Sequence, residues 1–192
     1  MKISHDFESD VLDVIKTRRS LRAFSNKPVE SDKIKSFFEA ARWAPSSSNE
    51  QPWSYIYAIA GQPLWQKIFE TLNKSNQVWA KDAPLLVVSL SRRHFLKNGM
   101  PNDSAKYDLG AANAFLSLQA TQLGLNVHQM GGLNSNLLRT NLNIPDAIEV
   151  GVVMAIGYKG NIDQLPNHLK ERELSPRVRI SQNEFAMNHS FE

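Results

Sequence analysis

Three arginines and a serine lie close together near the start of the 192-residue chain, and they are the residues whose spacing most suggests chemistry. Arg18, Arg19 and Arg22 fall within five positions and flank Ser20. A guanidinium fork matches phosphate oxygens with two parallel hydrogen bonds, and a hydroxyl adds another donor. The cluster therefore suits an anion, although most arginine runs, including those at helix ends, are solvated surface.

A second polar group lies in a loop between two prolines, in residues 44–53. Pro45 and the proline that closes the loop restrict its conformation at both ends. Ser46, Ser47 and Asn49 supply hydroxyl and amide groups that could reach a ligand. The same composition is also typical of an ordinary turn.

A glycine pair and two arginines near the end of the chain are further candidates for ligand binding. Gly131 and Gly132 allow the backbone to approach a ligand closely. Arg177 and Arg179 lie in the polar residues 157–192, which are predicted to be irregular.

Composition narrows the class of protein. The chain is 42% hydrophobic and 21% charged, which is ordinary for a globular domain, and its net charge of +3 is too small to indicate nucleic acid as a partner. Residues 1–10 are polar and acidic, so no signal peptide is expected. No apolar run approaches the roughly 20 residues of a membrane span. We therefore expect a cytoplasmic protein without a membrane partner.

Searches for chemistry carried by side chains are negative. Cysteine is absent, which excludes disulfides and thiolate nucleophiles, and the five histidines show no metal-binding spacing, so no metal site is expected. The chain contains no Walker loop, no Gly-x-Ser-x-Gly elbow and no dinucleotide fingerprint after a strand. Either the protein carries no chemistry, or an organic cofactor carries it.

Apolar periodicity predicts interleaved helices and strands. Helices are expected at residues 9–17, from Ser31 to before Pro45, from Pro63, at 105–123, and from an Asn134 cap to Leu142. Strands are expected at residues 53–60, 85–90 and 149–156. Because no repeat or composition break is present, residues 1–192 are predicted to form a single α+β domain.

In this order and spacing, the motifs resemble those of the nitroreductase family of FMN-dependent oxidoreductases over nearly the whole chain. They are Arg18-Arg19-Ser20-Leu21-Arg22-Ala23-Phe24, residues 44–53, Ala83-Pro84, Asp108-Leu109-Gly110-Ala111-Ala112, Leu123-Gly124-Leu125, Gly131-Gly132 and Pro176-Arg177-Val178-Arg179. The resemblance implies a nitroreductase-like domain with a central, mostly antiparallel sheet flanked by helices, in an intertwined homodimer.

In this family the first motif, at residues 18–24, binds the cofactor. The resemblance implies that Arg18, Arg19 and Ser20 contact the phosphate and ribityl region of FMN. It places Arg22 near the N1 and O2 edge of the flavin, where reduction develops negative charge that a fixed cation stabilises.

Further cofactor contacts are implied later in the chain. Arg177 and Arg179 would complete the phosphate site. Asn76 would read the pyrimidine edge of the flavin, and the backbone N–H of Gly131 would donate to N5, with Gly132 beside it.

The resemblance also implies that each site is shared across the dimer. The loop with Pro45, Ser46, Ser47 and Asn49 would reach the flavin of the other subunit. A subunit interface would also account for the largely apolar helix at residues 105–123.

The segment at residues 91–107 tends to cover the open flavin face in this family. His94, Phe95 and Tyr107 are therefore candidates for substrate contact, with a solvated loop and a packed aromatic as the alternative. No side chain is expected to act as a catalytic acid or base.

The resemblance implies that NADH or NADPH passes hydride to flavin N5, which then reduces a nitroaromatic, a quinone or a related electron-poor acceptor in a ping-pong cycle. The alternative is an FMN-binding dimer with a storage, sensing or regulatory role. A third possibility is an anion-binding structural domain without flavin.

Overall fold

The computed structural model describes residues 3–4 and 6–190, and its centre is an antiparallel sheet. The strands are β1 (Ile3–Ser4), β2 (Trp53–Ile59), β3 (Leu85–Arg92), β4 (Asn126–Met130), β5 (Ile148–Gly157) and β6 (Arg179–Ile180). Four of them form the central sheet in the order β2-β3-β5-β4, with every neighbouring pair antiparallel. Strands β1 and β6 pair antiparallel in a separate small sheet.

Helices cover both faces of the central sheet. They are α1 (Asp13–Thr17), α2 (Ser31–Arg42), α3 (Pro63–Phe69), α4 (Lys74–Ala80), α5 (Ala105–Gln122), α6 (Ser135–Leu142) and α7 (Asn167–Leu174). Apolar residues of α2 and α5 share one core with one face of β3. Residues of α3, α4, α6 and α7 share a second core with the other face. The predicted antiparallel sheet flanked by helices is confirmed.

Strand β3 explains the two cores. Leu85 and Val87 point into the core with α2 and α5, whereas Leu86 and Val88 point into the opposite core. All four side chains are fully buried. A strand covered on both faces is apolar at consecutive positions, which is why this run was recognisable in the sequence.

The structure corrects several predicted boundaries. Helix α1 begins only at Asp13. Of the residues before it, Ser9, Asp10 and Leu12 are exposed and Val11 is only partly buried, and the helix itself buries no side chain. Helix α2 begins at Ser31, but its capping position is Glu30 and no side-chain cap bond forms there. The predicted cap at Asn134 is confirmed, since its side chain accepts a hydrogen bond from Leu137 N at 3.0 Å.

Two helices, α4 and α7, and three strands, β1, β4 and β6, were not predicted. Helix α4 has a mostly polar sequence but buries Trp79 and Ala80. Strand β4 follows the end of α5. The prediction that residues 157–192 are irregular is wrong, because α7 forms there and buries Leu169 and Glu173. Both unpredicted helices are short and bury few side chains, so the apolar signal on which the predictions relied is weak in them.

Candidate functional site

The first motif leaves α1 as an extended segment and reaches a cleft beside α5. Arg18 Nη1 donates a hydrogen bond to Ser20 Oγ at 3.3 Å. Both side chains line a cleft of about 290 Å³ together with Ser117 of α5 and Gln129 of β4. The structure therefore brings two of the predicted phosphate contacts to one concave surface.

Two polar residues of this cleft are hydrogen-bonded, and the apolar side chains of Ala114, Leu118 and Val127 complete its lining. Gln129 Nε2 donates to Ser117 Oγ at 3.1 Å, and Ser117 Oγ donates to the carbonyl of Asn113 at 2.7 Å. These bonds join β4 to the middle of α5. Neither Ser117 nor Gln129 was singled out from the sequence, because a lone serine or glutamine carries no recognisable pattern.

Arg177 and Arg179, near the end of the chain, lie beside the first motif. Arg177 Nη1 donates to the carbonyl of Arg18 at 2.8 Å, and Nη2 donates to the carbonyl of Lys16. Burial lowers the pKa of the Arg18 guanidinium, and the nearby charges of Arg179 and Arg177 lower it further. Three cations from opposite ends of the chain are thus gathered at one place, which favours the binding of an anion.

The two remaining arginines of the motif have other neighbours, on and beside α7. Arg19 Nη2 donates to the carbonyls of Glu173 at 2.8 Å and Ser175 at 3.1 Å, so its guanidinium holds the C-terminal end of α7. Arg22 is half-buried, and burial, together with Arg172, lowers the pKa of its guanidinium while Glu173 opposes that shift.

Asn76 lies beside the glycine pair. Its Nδ2 donates to the carbonyl of Gly132 at 3.1 Å, and the backbone N–H of Asn73 donates to the same oxygen at 3.0 Å. A Cβ at Gly132 would lie 3.0 Å from Asn73 Nδ2 and 3.1 Å from Asn76 Nδ2, so glycine is what permits this close approach. Gly131 follows directly after Met130, the last paired residue of β4.

The proline-bounded loop has a strained backbone. Within it, Ser47–Asn49 form a short 3₁₀ turn, and Pro45 before the turn is exposed. Ser48, Asn49 and Gln51 have φ angles of +53°, +55° and +48°, in the left-handed region that non-glycine residues seldom occupy. Backbone strain of this kind is concentrated at functional sites.

Contacts with α5 and β3 hold the loop in place. The backbone N–H of Ser47 donates at 3.2 Å to Asp108, a buried carboxylate of α5. Arg92 Nη2 donates at 2.7 Å to the carbonyl of Glu50, whose carboxylate accepts from the N–H of Leu96 at 2.6 Å. Within the loop, the hydroxyl of Ser46 accepts from the N–H of Gln51 at 3.0 Å.

The loop and the arginine cluster meet α5 at different points. The loop contacts Asp108, whereas the cleft reaches Ser117, and nine helical residues span roughly 13 Å. Among residues 6–190, no hydrogen bond joins the loop at residues 45–53 to the motif at residues 18–24. The structure therefore does not bring these two groups together through direct contacts within one chain.

A second cleft, of about 400 Å³, lies at the start of α5. His94 lines it, but Phe95 and Tyr107 do not, and the side chain of Tyr107 is 83% exposed. The buried atoms Ser91 Oγ and Asn102 Nδ2 have no hydrogen-bond partner in the part of the chain that the structure describes. The three candidate substrate contacts are thus not gathered in one cavity.

Two titratable residues that the sequence did not reveal, the buried Glu173 and the partly buried His128, hold the first motif. The carboxylate of Glu173 accepts from the N–H groups of Arg22 at 2.6 Å and Ala23 at 3.3 Å. Nδ1 of His128 lies 3.0 Å from the carbonyl of Leu21. Burial lowers the pKa of His128 to about 4, so the ring is neutral at physiological pH. No local pattern could have revealed these contacts, because each joins residues more than 100 positions apart.

Other kinds of site find no support in the described residues. They contain no group of three or more His, Asp or Glu side chains placed to hold a metal ion. None of their helices combines the length and hydropathy needed to cross a membrane.

Comparisons with known proteins agree with this geometry. The profile of the nitroreductase family matches residues 15–158. A crystal structure described as an oxidoreductase containing FMN is 35% identical, with a TM-score of 0.92 over 97% of this chain and 96% of that chain. A protein of Archaeoglobus fulgidus, provisionally named NADH dehydrogenase/NAD(P)H nitroreductase, is 29% identical over 78% of this chain and 85% of its own length.

A nitroreductase-type protein of Desulfovibrio desulfuricans, solved in complex with FMN, has the same fold. It is 21% identical, with a TM-score of 0.75 over 97% of this chain and all of that one. The family profile spans most of the chain and the first structure matches nearly all of it. The chain therefore belongs to the nitroreductase family, a family of oxidoreductases.

Proposed function

We propose that this chain is an FMN-dependent oxidoreductase whose phosphate site is built by Arg18, Ser20, Arg177 and Arg179. The observation that carries the proposal is the gathering of three arginines from opposite ends of the chain, where Arg18 and Ser20 line a cleft that is otherwise largely apolar. Arg19 lies next to them, although its guanidinium is engaged by backbone carbonyls of α7.

The donor set fits the phosphate of FMN. That phosphate carries nearly two negative charges and accepts bidentate bonds from guanidinium groups. Burial, followed by repulsion from Arg179 and Arg177, lowers the pKa of Arg18, and an anion between these cations would offset the repulsion by attracting each of them. A neutral sugar or peptide would leave this repulsion in place.

Residues around the glycine pair would hold the flavin ring. Asn76 and Gly132 already contact each other, and Gly131 and Gly132 present the backbone there without side chains. We propose that Gly131 N–H donates to N5 and that Arg22 lies at the N1 and O2 edge, where its charge would stabilise the reduced form. When bound, FMN would supply hydride transfer from NADH or NADPH to a nitroaromatic, quinone or related electron-poor acceptor in a ping-pong cycle.

The second part of each site would come from another copy of the chain. The loop with Pro45, Ser46, Ser47 and Asn49 is strained and partly exposed, and it lies away from the arginines of its own chain. Large exposed apolar side chains occur near α1, on α5 and near the C-terminus: Phe7, Leu12, Ile15, Tyr107, Phe115, Val178 and Ile180. We propose that these surfaces form a homodimer that buries them. Substrate contacts by His94, Phe95 and Tyr107, and a cytoplasmic location, stay predictions.

The test begins with cofactor loading. Purified protein incubated with FMN and desalted is expected to be yellow, and NADH or NADPH is expected to bleach it under anaerobic conditions. Turnover is then measured as oxidation of the nicotinamide with menadione or a nitroaromatic. A protein that stays colourless contradicts the flavin site. A yellow protein that neither nicotinamide bleaches supports a storage, sensing or regulatory role instead.

A further inference from the structure

Helix α7 and the first motif hold each other by reciprocal hydrogen bonds. The carboxylate of Glu173 accepts from the backbone N–H groups of Arg22 and Ala23, at 2.6 and 3.3 Å. In the opposite direction, the guanidinium of Arg19 donates to the carbonyls of Glu173 and Ser175. Each partner thus satisfies backbone groups that the other leaves without a helix or sheet partner.

Glu173 is an unusual residue to find at this place. Its side chain is only 6% exposed, and a buried carboxylate is costly unless hydrogen bonds and nearby charge compensate it. Two N–H donors supply those bonds, and the Arg22 guanidinium lies close enough to interact electrostatically. Each oxygen of the carboxylate accepts one of the two N–H groups, whereas an amide in the same place would present its own NH2 group to one of them.

The contact with Glu173 fixes the backbone of a segment that has few other backbone partners. Residues 20–23 have no regular secondary structure, and the motif next pairs only through the isolated bridge of Phe24 to Lys159. Fixing the backbone at Arg22 fixes where its half-buried side chain begins. The same helix leads directly to Arg177 and Arg179.

We infer that Glu173 is a positioning residue of the cofactor site, which holds the backbone of Arg22 and thereby the guanidinium that faces the flavin. This inference rests on the proposed function. Glu173 does not itself touch the cofactor; its effect passes through Arg22.

The decisive variant is Glu173→Asp, which keeps the charge but shortens the side chain by one methylene, so that the carboxylate cannot reach both N–H groups. We expect the dissociation constant for FMN, measured by flavin fluorescence, to rise about tenfold. If the affinity for reduced FMN falls about ten times more than the affinity for oxidised FMN, the two-electron midpoint potential of the bound flavin falls by about 30 mV. Glu171→Asp, an exposed carboxylate on the same helix, is the matched control and should change neither quantity.

A double-variant cycle separates positioning from general loosening of the fold. In an Arg22→Ala background, Glu173→Asp should no longer shift the midpoint potential, because the side chain that it positions is gone. A wild-type potential in Glu173→Asp, or a shift that persists without Arg22, overturns the inference.

A measurement on the wild-type protein covers the case in which the variants fail to fold. The amide protons of Arg22 and Ala23 should exchange slowly in the apoprotein, although their segment has no regular secondary structure. Fast exchange at both amides overturns the inference without any substitution. Slow exchange in a protein that never binds FMN would leave the contact intact and contradict the proposed function alone.

Discussion

The segment at residues 18–24 and the loop at residues 45–53 carry most of the polar candidates, and they differ in the contacts that hold them and in backbone strain. The segment is held by two partners that are distant in sequence, the buried Glu173 and the partly buried His128. The loop is held by its own short-range bonds, by buried Asp108 and by contacts with β3 and the residues after it, and it has three non-glycine residues with positive φ.

This difference indicates what each part does before any ligand arrives. The segment at residues 18–24 is organised by the fold of one chain, so its arginines are already gathered. The loop stores local strain and leaves Asn49 exposed. That arrangement suits a group whose partner lies outside its own chain.

The largest expected effect concerns the buried support of the segment. Burial holds the pKa of His128 at about 4 in the folded protein, against 6.5 for an ordinary histidine. Between these values the unfolded chain binds a proton that the folded protein does not, so the free energy of unfolding decreases as the pH is lowered from about 6.5 to about 4. The loss from this residue is at most about 3 kcal/mol.

Chemical denaturation across this pH range measures the effect. His128→Gln should remove this part of the pH dependence, whereas the exposed His94 changed to Gln should retain it. An identical pH profile for wild type and His128→Gln would mean that burial does not keep this ring neutral in the folded protein.

The next effect concerns the cation cluster itself. Arg18→Ala should weaken FMN binding by about 100-fold, since a hydrogen bond to a charged group contributes about 1.5–3 kcal/mol. Arg42→Ala, which removes an exposed arginine paired with Glu39, is the control. Equal affinities for the two variants in fluorescence titration would reject the phosphate site.

A smaller effect is expected at the loop and tests whether sites are shared. Asn49→Ala should weaken FMN binding by about tenfold, the effect of one neutral hydrogen bond. Mixed dimers of Asn49→Ala with Arg18→Ala chains should regain one intact site per dimer if loop and arginines come from different copies. Flavin stoichiometry in doubly tagged dimers reports this, and no recovery would indicate sites built within one chain.

The smallest effect distinguishes local strain from long-range support. Ser48 is exposed and has a φ of +53°, so Ser48→Gly should raise the free energy of unfolding by up to about 1 kcal/mol. Thermal denaturation measures the gain, and Ser54→Gly in strand β2 is the control, expected to destabilise. A loss of stability in Ser48→Gly would show that the loop is not strained.

Much of the fold was predictable because apolar runs and helix caps are visible within short stretches of sequence. Strand β3 is apolar at consecutive positions, and Asn134 stands where a helix cap is needed. Helices α4 and α7 escaped prediction because short helices that bury few side chains leave little periodic pattern.

The sequence by itself determined the residue types: three arginines with a serine, a polar loop between two prolines, and a glycine pair, whose order and spacing with the other motifs identified the family. Only the tertiary structure decided which residues meet. It brought Arg177 and Glu173 to the first motif and kept the loop roughly 13 Å away along α5. Contacts between residues more than 150 positions apart depend on how whole elements pack, and no local pattern encodes them.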